Sequence, residues 1–176
     1  MKIAWFTPLS PGCAASDFSR LVCPQLSRQA EVHIWRPPLP QPPHTPLPSF
    51  VFESAASLAP AVLAPYDLLV YNLGRHFSSF SEIYRASQRF PGVTILHDFF
   101  MRPFFAQYCR DVLHHPAAYS ALMKRHYGAP GDAFARQPAG PAAQPENPDP
   151  LHPIQFPLCE EAAAGSCLGV IVHSRF

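Results

Sequence analysis

The sequence predicts an α/β domain built on a doubly wound, mostly parallel β-sheet. Short, continuously apolar segments alternate along the chain with segments whose apolar residues recur at helical spacing. Continuously apolar strands are typical of parallel sheets, because helices cover both faces of such sheets. The chain has 176 residues, of which 48% are hydrophobic, so it is long enough to form one packed domain.

The first strand–helix–strand unit lies at the N-terminus. Residues 2–6 and 31–35 are short apolar runs and are predicted to be strands. Between them we expect a helix over 16–29, capped by Ser16 or Asp17. Its predicted apolar face comprises Phe18, Leu21, Val22 and Leu26.

The middle of the chain continues the alternation. Residues 51–52 suggest a short strand, and 54–64 suggest a short helix that Pro60 interrupts. Residues 67–71 and 93–96 are apolar runs of strand length. The helix between them is predicted to start at a capping box formed by Ser79 and Glu82, with an apolar face of Phe80, Ile83, Tyr84 and Phe90.

The C-terminal third predicts two helices over 102–113 and 116–127, a short helix over 158–164 and a last strand over 169–173. This order of elements is that of a Rossmann-like domain. The aromatic residues between 99 and 105 suit either an apolar surface or ordinary core packing. The chain stops three residues after His173, where another helix is expected, so we expect it to be cut near a domain edge.

Proline is concentrated in two segments. The chain contains 23 prolines among 176 residues, more than twice the usual share of about 5%. Since proline fixes φ and lacks an N–H donor, we predict a Pro-rich loop over 37–48 and a disordered loop over 129–150. Both are read as insertions in the single domain spanning 1–176; their PxxP spacing leaves a role as an SH3-type ligand open.

Charge and cysteine content exclude several classes of protein. Thirteen Lys and Arg residues against 12 Asp and Glu give a net charge of +1, which excludes a strongly basic nucleic-acid binder. Five cysteines without a C-x-x-C pair predict no zinc site or disulfide framework and favour a reduced, cytoplasmic setting. No run of 18 apolar residues is present.

Candidate site residues lie where the predicted strands end, because ligands of doubly wound sheets bind at the carboxyl ends of the strands. The loop after the first strand contains small residues and leads into a helix N-terminus, which suits a phosphate or a sugar oxygen. A plain strand–helix turn explains it equally well, and neither G-x-G-x-x-G nor a P-loop is present. The candidates in this loop are Gly12, Cys13 and Ala14.

Two further strand ends carry polar or flexible residues. Asn72 offers an amide to a bound hydroxyl and Gly74 allows close approach to a ligand, although both residues are also common in simple turns. Ser174 and Arg175 follow the last strand. Ser174 can cap a following helix, and Arg175 can face a phosphate or carboxylate.

His97 and Asp98 give the strongest chemical signal. They end an apolar strand, and His97 can donate to a sugar hydroxyl or phosphate, or take a proton, so it is the candidate catalytic residue. Asp98 can orient an imidazole, accept from a hydroxyl or cap the next helix. A His-Asp pair also occurs in metal phosphohydrolases, but there it lies among helices with further ligands. We therefore predict no metal site.

Four segments together resemble the N-terminal domain of GT-B-fold glycosyltransferases of family 4. They read MKIAWFTP at 1–8, DLLVYNLG at 67–74, PGVTILHDF at 91–99 and VIVHSRF at 170–176, in the family's order and across nearly the whole chain. The family's glycine in the first loop falls near Ala14, with Gly12 displaced from it.

The resemblance implies one half of a GT-B fold, binding the acceptor in an enzyme that moves a sugar from a nucleotide-sugar donor to a glycan or lipid-linked acceptor. It implies that His97 lies next to the transferred sugar, and that the loop at 12–16 lies near the donor phosphates or the acceptor. It also implies no bound metal or other cofactor, a cytoplasmic location with possible contact to the inner membrane face, and a C-terminal donor domain that this chain lacks. Without that domain, in cis or in trans, we expect no complete enzyme.

Two other classes remain open. The first is a non-catalytic Rossmann-like binding module that acts with a separate partner chain. The second is a small nucleotide-dependent oxidoreductase, which the missing glycine fingerprint disfavours. The glycosyltransferase interpretation predicts a downstream donor domain, the binding module predicts a partner protein, and the oxidoreductase predicts NAD(P)H binding by this chain alone.

Overall fold

The computed structural model describes residues 1–38, 45–137, 155–164 and 167–173, and these residues form the predicted α/β fold. Its strands all pair in parallel within one sheet. The strands are β1 (Lys2–Phe6), β2 (Glu31–Arg36), β3 (Ser49–Val51), β4 (Leu68–Leu73), β5 (Gly92–Leu96) and β6 (Cys167–Val172). Their order in the sheet is β3-β2-β1-β4-β5-β6.

Helices cover both faces of the sheet, as expected for a doubly wound Rossmann-like fold. A single 3-10 turn at Ala55–Ser57 precedes the second α-helix. None of the helices in the described ranges is both long and apolar enough to cross a bilayer. The α-helices are α1 (Ala14–Leu26), α2 (Pro60–Leu63), α3 (Phe77–Arg89), α4 (Arg102–Asp111), α5 (Ala117–Ala135) and α6 (Cys159–Ala162).

The core has two parts, one on each face of the sheet. Successive side chains of a strand point to opposite faces, so Ile3 and Trp5 join the cluster beneath α1, whereas Ala4 and Phe6 join the cluster beneath the other helices. The aromatic segment that follows β5 belongs to the second cluster: Phe104 and Phe105 are fully buried. These two phenylalanines are therefore core residues, while Phe99 is exposed.

Helix α1 starts two residues earlier than predicted. Cys13 is its N-cap, without a side-chain hydrogen bond, so the predicted caps Ser16 and Asp17 are wrong. The helix also contains Pro24, although a proline inside a helix removes a backbone hydrogen bond. Of the predicted apolar face, Leu21 is exposed, and the other three residues pack against the core.

The predicted capping box of α3 is also wrong. The helix begins at Phe77, ahead of Ser79, and His76 is its N-cap, without a side-chain hydrogen bond. Glu82 instead accepts a hydrogen bond at 2.6 Å from the backbone N–H of Ala55. A capping box requires the helix to start directly after the capping serine, and this helix starts earlier. The Glu82 carboxylate instead forms a tertiary contact with the 3-10 turn.

Helix α5 extends through part of the segment predicted to be disordered. The chain kinks at Gly128, which adopts φ 66°, and then continues as helix to Ala135. Pro130 lies in the first turn after this kink, where proline is tolerated because its missing N–H needs no partner. The prediction for 129–150 is therefore wrong for 129–135, and 138–150 lie outside the described residues.

The first Pro-rich segment agrees with its prediction where it is described. Residues 37–38 and 45–48 are neither helix nor strand, and 39–44 lie outside the described residues. Its described residues adjoin β2 and the edge strand β3, on the side of the sheet away from β6. These residues therefore lie away from the strand end that carries the candidate histidine.

Candidate functional site

The site is formed where three neighbouring strands end. Strand β5 lies between β4 and β6, and Leu96 pairs with Val172 in parallel register. The next residues, His97 and His173, therefore lie side by side. Leu96 packs in the cluster on the face opposite α1, and Val172 is its partner in the register. Since successive side chains of a strand alternate between the two faces, both imidazoles point toward α1. Asn72 of β4 points to the same face and is completely buried.

A chain of hydrogen bonds joins these three side chains. His97 Nδ1 lies 3.0 Å from His173 Nε2, and His97 Nε2 lies 2.9 Å from Asn72 Oδ1. The Asn72 amide in turn donates to the backbone carbonyl of Phe6 at 2.9 Å. Both polar atoms of this buried side chain thus bind within the chain, so the predicted contact of the Asn72 amide with a bound hydroxyl is wrong. The end of β1 is thus connected through β4 and β5 to the end of β6.

Helix α1 holds the two imidazoles against the sheet. The Phe18 ring makes edge contacts with both, at centroid distances of 5.2 Å to His97 and 4.9 Å to His173. The Phe18 ring also stacks on the Trp5 ring, at a centroid distance of 6.3 Å. The indole N–H of Trp5 donates to the Ser19 hydroxyl, which ties α1 to β1. The position of α1 therefore sets the position of both histidines.

His97 is held in its neutral form. Its pKa is lowered to about 4, mainly by burial and to a smaller extent by the nearby His173. The carboxylate of Asp98 acts in the opposite direction but is the weakest of the three influences. At neutral pH the His97 imidazole is therefore a hydrogen-bonding group without a charge.

Asp98 binds backbone and does not act on the imidazole through a hydrogen bond. Its Oδ2 accepts from the backbone N–H of Arg75 at 2.9 Å, and the Arg75 guanidinium lies 4.0 Å from Oδ1. Helix α4 has Met101 as N-cap, without a side-chain hydrogen bond. The predicted roles of Asp98 as a helix cap and as the group that orients His97 are therefore wrong; its role as an acceptor for a bound hydroxyl stays a prediction.

Gly74 is required by packing within the chain. A Cβ at this position would lie 2.8 Å from the Phe80 ring and 2.9 Å from Asp98 Oδ2. The close approach predicted for Gly74 is thus made by the protein's own side chains. In this way Gly74 allows Asp98 to bind across the end of β4.

The loop before α1 has the features expected of a turn that binds a phosphate or sugar oxygen. Gly12 adopts φ 69° and is exposed, Cys13 is the extended N-cap, and Ala14 begins a helix of 13 residues. The Ser16 hydroxyl in the first turn is buried and has no hydrogen-bond partner in the described part of the chain. The positive end of the helix dipole faces this loop.

Two predicted site residues, Ser174 and Arg175, lie outside the described residues. Among the residues that are described, no group of three or more His, Cys, Asp and Glu side chains could hold a metal ion.

His173 and Phe18 are the site residues that the sequence analysis did not select. His173 was noted as the end of the last strand but was not assigned to the site. The alternation along β5 and β6 puts both histidines on one face, but only the strand order makes them neighbours. Phe18 was assigned to the core, and its contact with both imidazoles depends on where α1 packs.

Comparison with known proteins identifies no relative. No protein-family model, no curated protein and no solved structure matches this chain.

Proposed function

We propose that the chain is the acceptor-side, N-terminal half of a GT-B-fold glycosyltransferase of the family 4 type. The reaction would transfer a sugar from a nucleotide-sugar donor to a hydroxyl of a glycan or a lipid-linked acceptor. The donor nucleotide would be held chiefly by a second domain, in cis or in trans. With a lipid-linked acceptor, the protein would work in the cytoplasm at the inner face of the membrane.

One observation carries this proposal. The described residues of the four segments that resemble the family lie in four adjacent strands of the sheet, β1, β4, β5 and β6, and at the ends of these strands. Segments that are far apart in sequence thus meet at one edge, where Rossmann-like sheets bind ligands. Side chains from three of these ends, Asn72, His97 and His173, are joined by hydrogen bonds.

The chemistry of the site suits a neutral, hydroxyl-rich ligand. With its pKa lowered to about 4, His97 offers no positive charge to a diphosphate at neutral pH. The Arg75 guanidinium lies beside Asp98, which leaves little net charge there. A sugar presents hydroxyl groups that donate and accept hydrogen bonds, as imidazole and carboxylate groups require. Phosphate oxygens would lie at the loop of Gly12 and the start of α1.

Ligand binding by the isolated chain tests the proposal. Backbone amide NMR shifts would be followed while millimolar oligosaccharides and uridine or guanosine diphosphate sugars are added to the ¹⁵N-labelled chain. We expect shifts at residues 12–14, 72–74, 97–98 and 173. No shift at this edge with any sugar would contradict the proposal. NAD(P)H binding there, detected by fluorescence, would favour an oxidoreductase instead.

A pair of matched variants separates binding from folding. His97→Gln should weaken sugar binding about tenfold, the effect of about 1.4 kcal/mol in binding free energy. His115→Gln changes an exposed histidine in the connection between α4 and α5 and should leave binding unchanged. If both variants bind like the wild type, His97 neither contacts the ligand nor positions a residue that does.

A binding module that works with a separate chain is the second candidate. Strand β6 is an edge of the sheet, and four of its apolar residues are exposed: Leu168, Val170, Ile171 and Val172. Apolar surface of this kind commonly marks an interface. This surface would fit either a second domain of the same protein or a partner chain; sugar binding by the isolated chain favours the glycosyltransferase.

A further inference from the structure

The hydrogen bonds between Asn72 and the two histidines have a definite direction. The Asn72 amide nitrogen faces the Phe6 carbonyl, which can only accept, so Nδ2 is the donor and Oδ1 faces His97. An amide oxygen can only accept, so His97 carries its proton on Nε2. A neutral imidazole with a proton on Nε2 has an unprotonated Nδ1, and this atom must accept from His173.

The same reasoning assigns the atoms of His173. Its Nε2 carries the proton that is donated to His97 Nδ1 at 3.0 Å. Its Nδ1 is then the one ring nitrogen of the pair with no hydrogen bond in the part of the chain that the structure describes. His173 is exposed and lies at the end of β6, so this nitrogen is accessible to a ligand.

Protonation of His97 would require a rearrangement of the pair. A proton on His97 Nδ1 would face the N–H of His173, so His173 would have to give up its Nε2 proton and carry one on Nδ1 instead. The charged and titratable groups that act on His97 are His173 from β6 and Asp98, which is next to it and paired with Arg75. From α1, the facing group is the uncharged ring of Phe18. The first proton that the pair takes up therefore belongs on His173 Nδ1.

We infer that His173 is the proton-exchanging residue of this site, through Nδ1, and that His97 and Asn72 are positioning residues that fix its orientation. This inference rests on the proposed function for the identity of the ligand. As the acceptor oxygen forms its bond to the anomeric carbon, its O–H bond breaks and the proton passes to His173 Nδ1. The bond between the anomeric carbon and the diphosphate oxygen breaks, and its electron pair leaves with the nucleoside diphosphate.

The protonation states can be measured without any ligand. Two-bond ¹H–¹⁵N spectra of the histidine-labelled chain, recorded with a chelator present, report which ring nitrogen carries a proton. We expect His97 to remain neutral with its proton on Nε2 from pH 8 to pH 5, and any proton that the pair gains in this range to appear on His173 Nδ1. A proton on His97 Nδ1, or protonation of His97 before His173, would overturn the inference.

Two variants test the positioning roles. In Asn72→Asp, a carboxylate replaces the amide oxygen, so His97 should gain a proton and titrate at least one pH unit higher than in the wild type. Because Asn72 is buried, a second variant at an exposed position keeps the test independent of folding. His173→Gln is at an exposed position and keeps an N–H that can reach His97 Nδ1. It should leave the Nε2-protonated form of His97 unchanged; a switch of His97 to the other tautomer would contradict the inference.

Sugar binding distinguishes a failure of this inference from a failure of the proposed function. The wild-type chain should bind the sugar more weakly as His173 becomes protonated, and His173→Gln should lose that pH dependence. Binding with the same pH dependence in both proteins would overturn the role of His173 while leaving the proposed function intact. If no sugar binds at any pH, the proposed function fails, and so does the role of His173 toward the sugar hydroxyl. The ¹H–¹⁵N spectra still decide the direction of the hydrogen bonds in that case.

Discussion

The buried imidazole of His97 makes the stability of the chain depend on pH. Its pKa is lowered from 6.5 to about 4, so between these values the unfolded chain binds a proton that the folded chain does not. The free energy of unfolding is therefore unaffected by this group above pH 6.5, and it decreases as the pH falls from 6.5 toward 4. The limiting slope for one proton is about 1.4 kcal/mol per pH unit. Because part of the ring faces solvent, we expect a smaller slope.

Urea unfolding of the wild type and of His97→Gln at pH 7.5 and pH 5 tests this dependence. The variant has no titrating group at position 97, so it should lose less stability on acidification than the wild type. The difference between the two proteins removes the contributions of all other groups. An equal loss in both would show that His97 titrates normally in the folded chain.

Gly74 gives a second prediction at the level of single residues. Gly74→Ala places a methyl group 2.8 Å from the Phe80 ring and 2.9 Å from Asp98 Oδ2, so one of the two must move. We expect a loss of about 1–3 kcal/mol in the free energy of unfolding. Gly169→Ala is the matched control, because a Cβ there would meet nothing within 4 Å. Equal stability of the two variants would mean that the end of β4 adjusts without strain.

At the level of elements, the joint between β1 and α1 depends on one buried hydroxyl. Ser19 Oγ accepts from the Trp5 indole N–H at 2.9 Å, lies 3.0 Å from Thr7 Oγ1 and is 2.7 Å from the Ala15 carbonyl. Ser19→Ala leaves the buried indole N–H without its acceptor, which costs about 1–3 kcal/mol. Since α1 also carries Phe18, the loss should shift the NMR signals of both histidines of the site.

Ser27→Ala is the control for this prediction. Ser27 is exposed at the end of the same helix and donates to the Pro24 carbonyl at 2.9 Å. Its replacement should change thermal unfolding very little and should leave the histidine signals in place. If Ser19→Ala behaves like Ser27→Ala, the hydroxyl network does not position α1.

The element boundaries show where sequence patterns work and where they fail. The strands were predicted closely, because runs of apolar residues end abruptly at polar residues, proline or glycine. Helix starts were less accurate: Ser16, Asp17 and the Ser79 capping box were all wrong, since the caps depend on tertiary contacts. Pro130 belongs to the segment predicted to be disordered, but it lies in the first helical turn that follows the kink at Gly128.

At the level of the whole molecule, the exposed edge of the sheet gives a prediction about association. Leu168 of β6 is 69% exposed and lies in a strand whose apolar neighbours are also exposed. Leu168→Lys should reduce the binding of an apolar-surface dye and any self-association seen by ultracentrifugation. Leu21→Lys is the matched control, because Leu21 is 74% exposed but belongs to α1 and not to this strand. Equal effects of the two substitutions would mean that β6 forms no special surface.

The sequence by itself determined the fold class, the strands and the presence of polar residues at strand ends. These properties follow from local patterns: the length of apolar runs, their alternation with helical periodicity and the residues that end them. On this basis alone, His97, Asn72 and Gly74 could be placed at the carboxyl ends of the strands.

The tertiary structure decided which of these residues meet. Strand order and register are set by long-range pairing, and they alone put His173 beside His97 and Asn72 within reach of both His97 and the Phe6 carbonyl. The neutral state of His97 also depends on burial and on its neighbours, which no local pattern contains. Asp98, although adjacent to His97 in sequence, binds the backbone of Arg75 instead, because β4 and β5 end side by side.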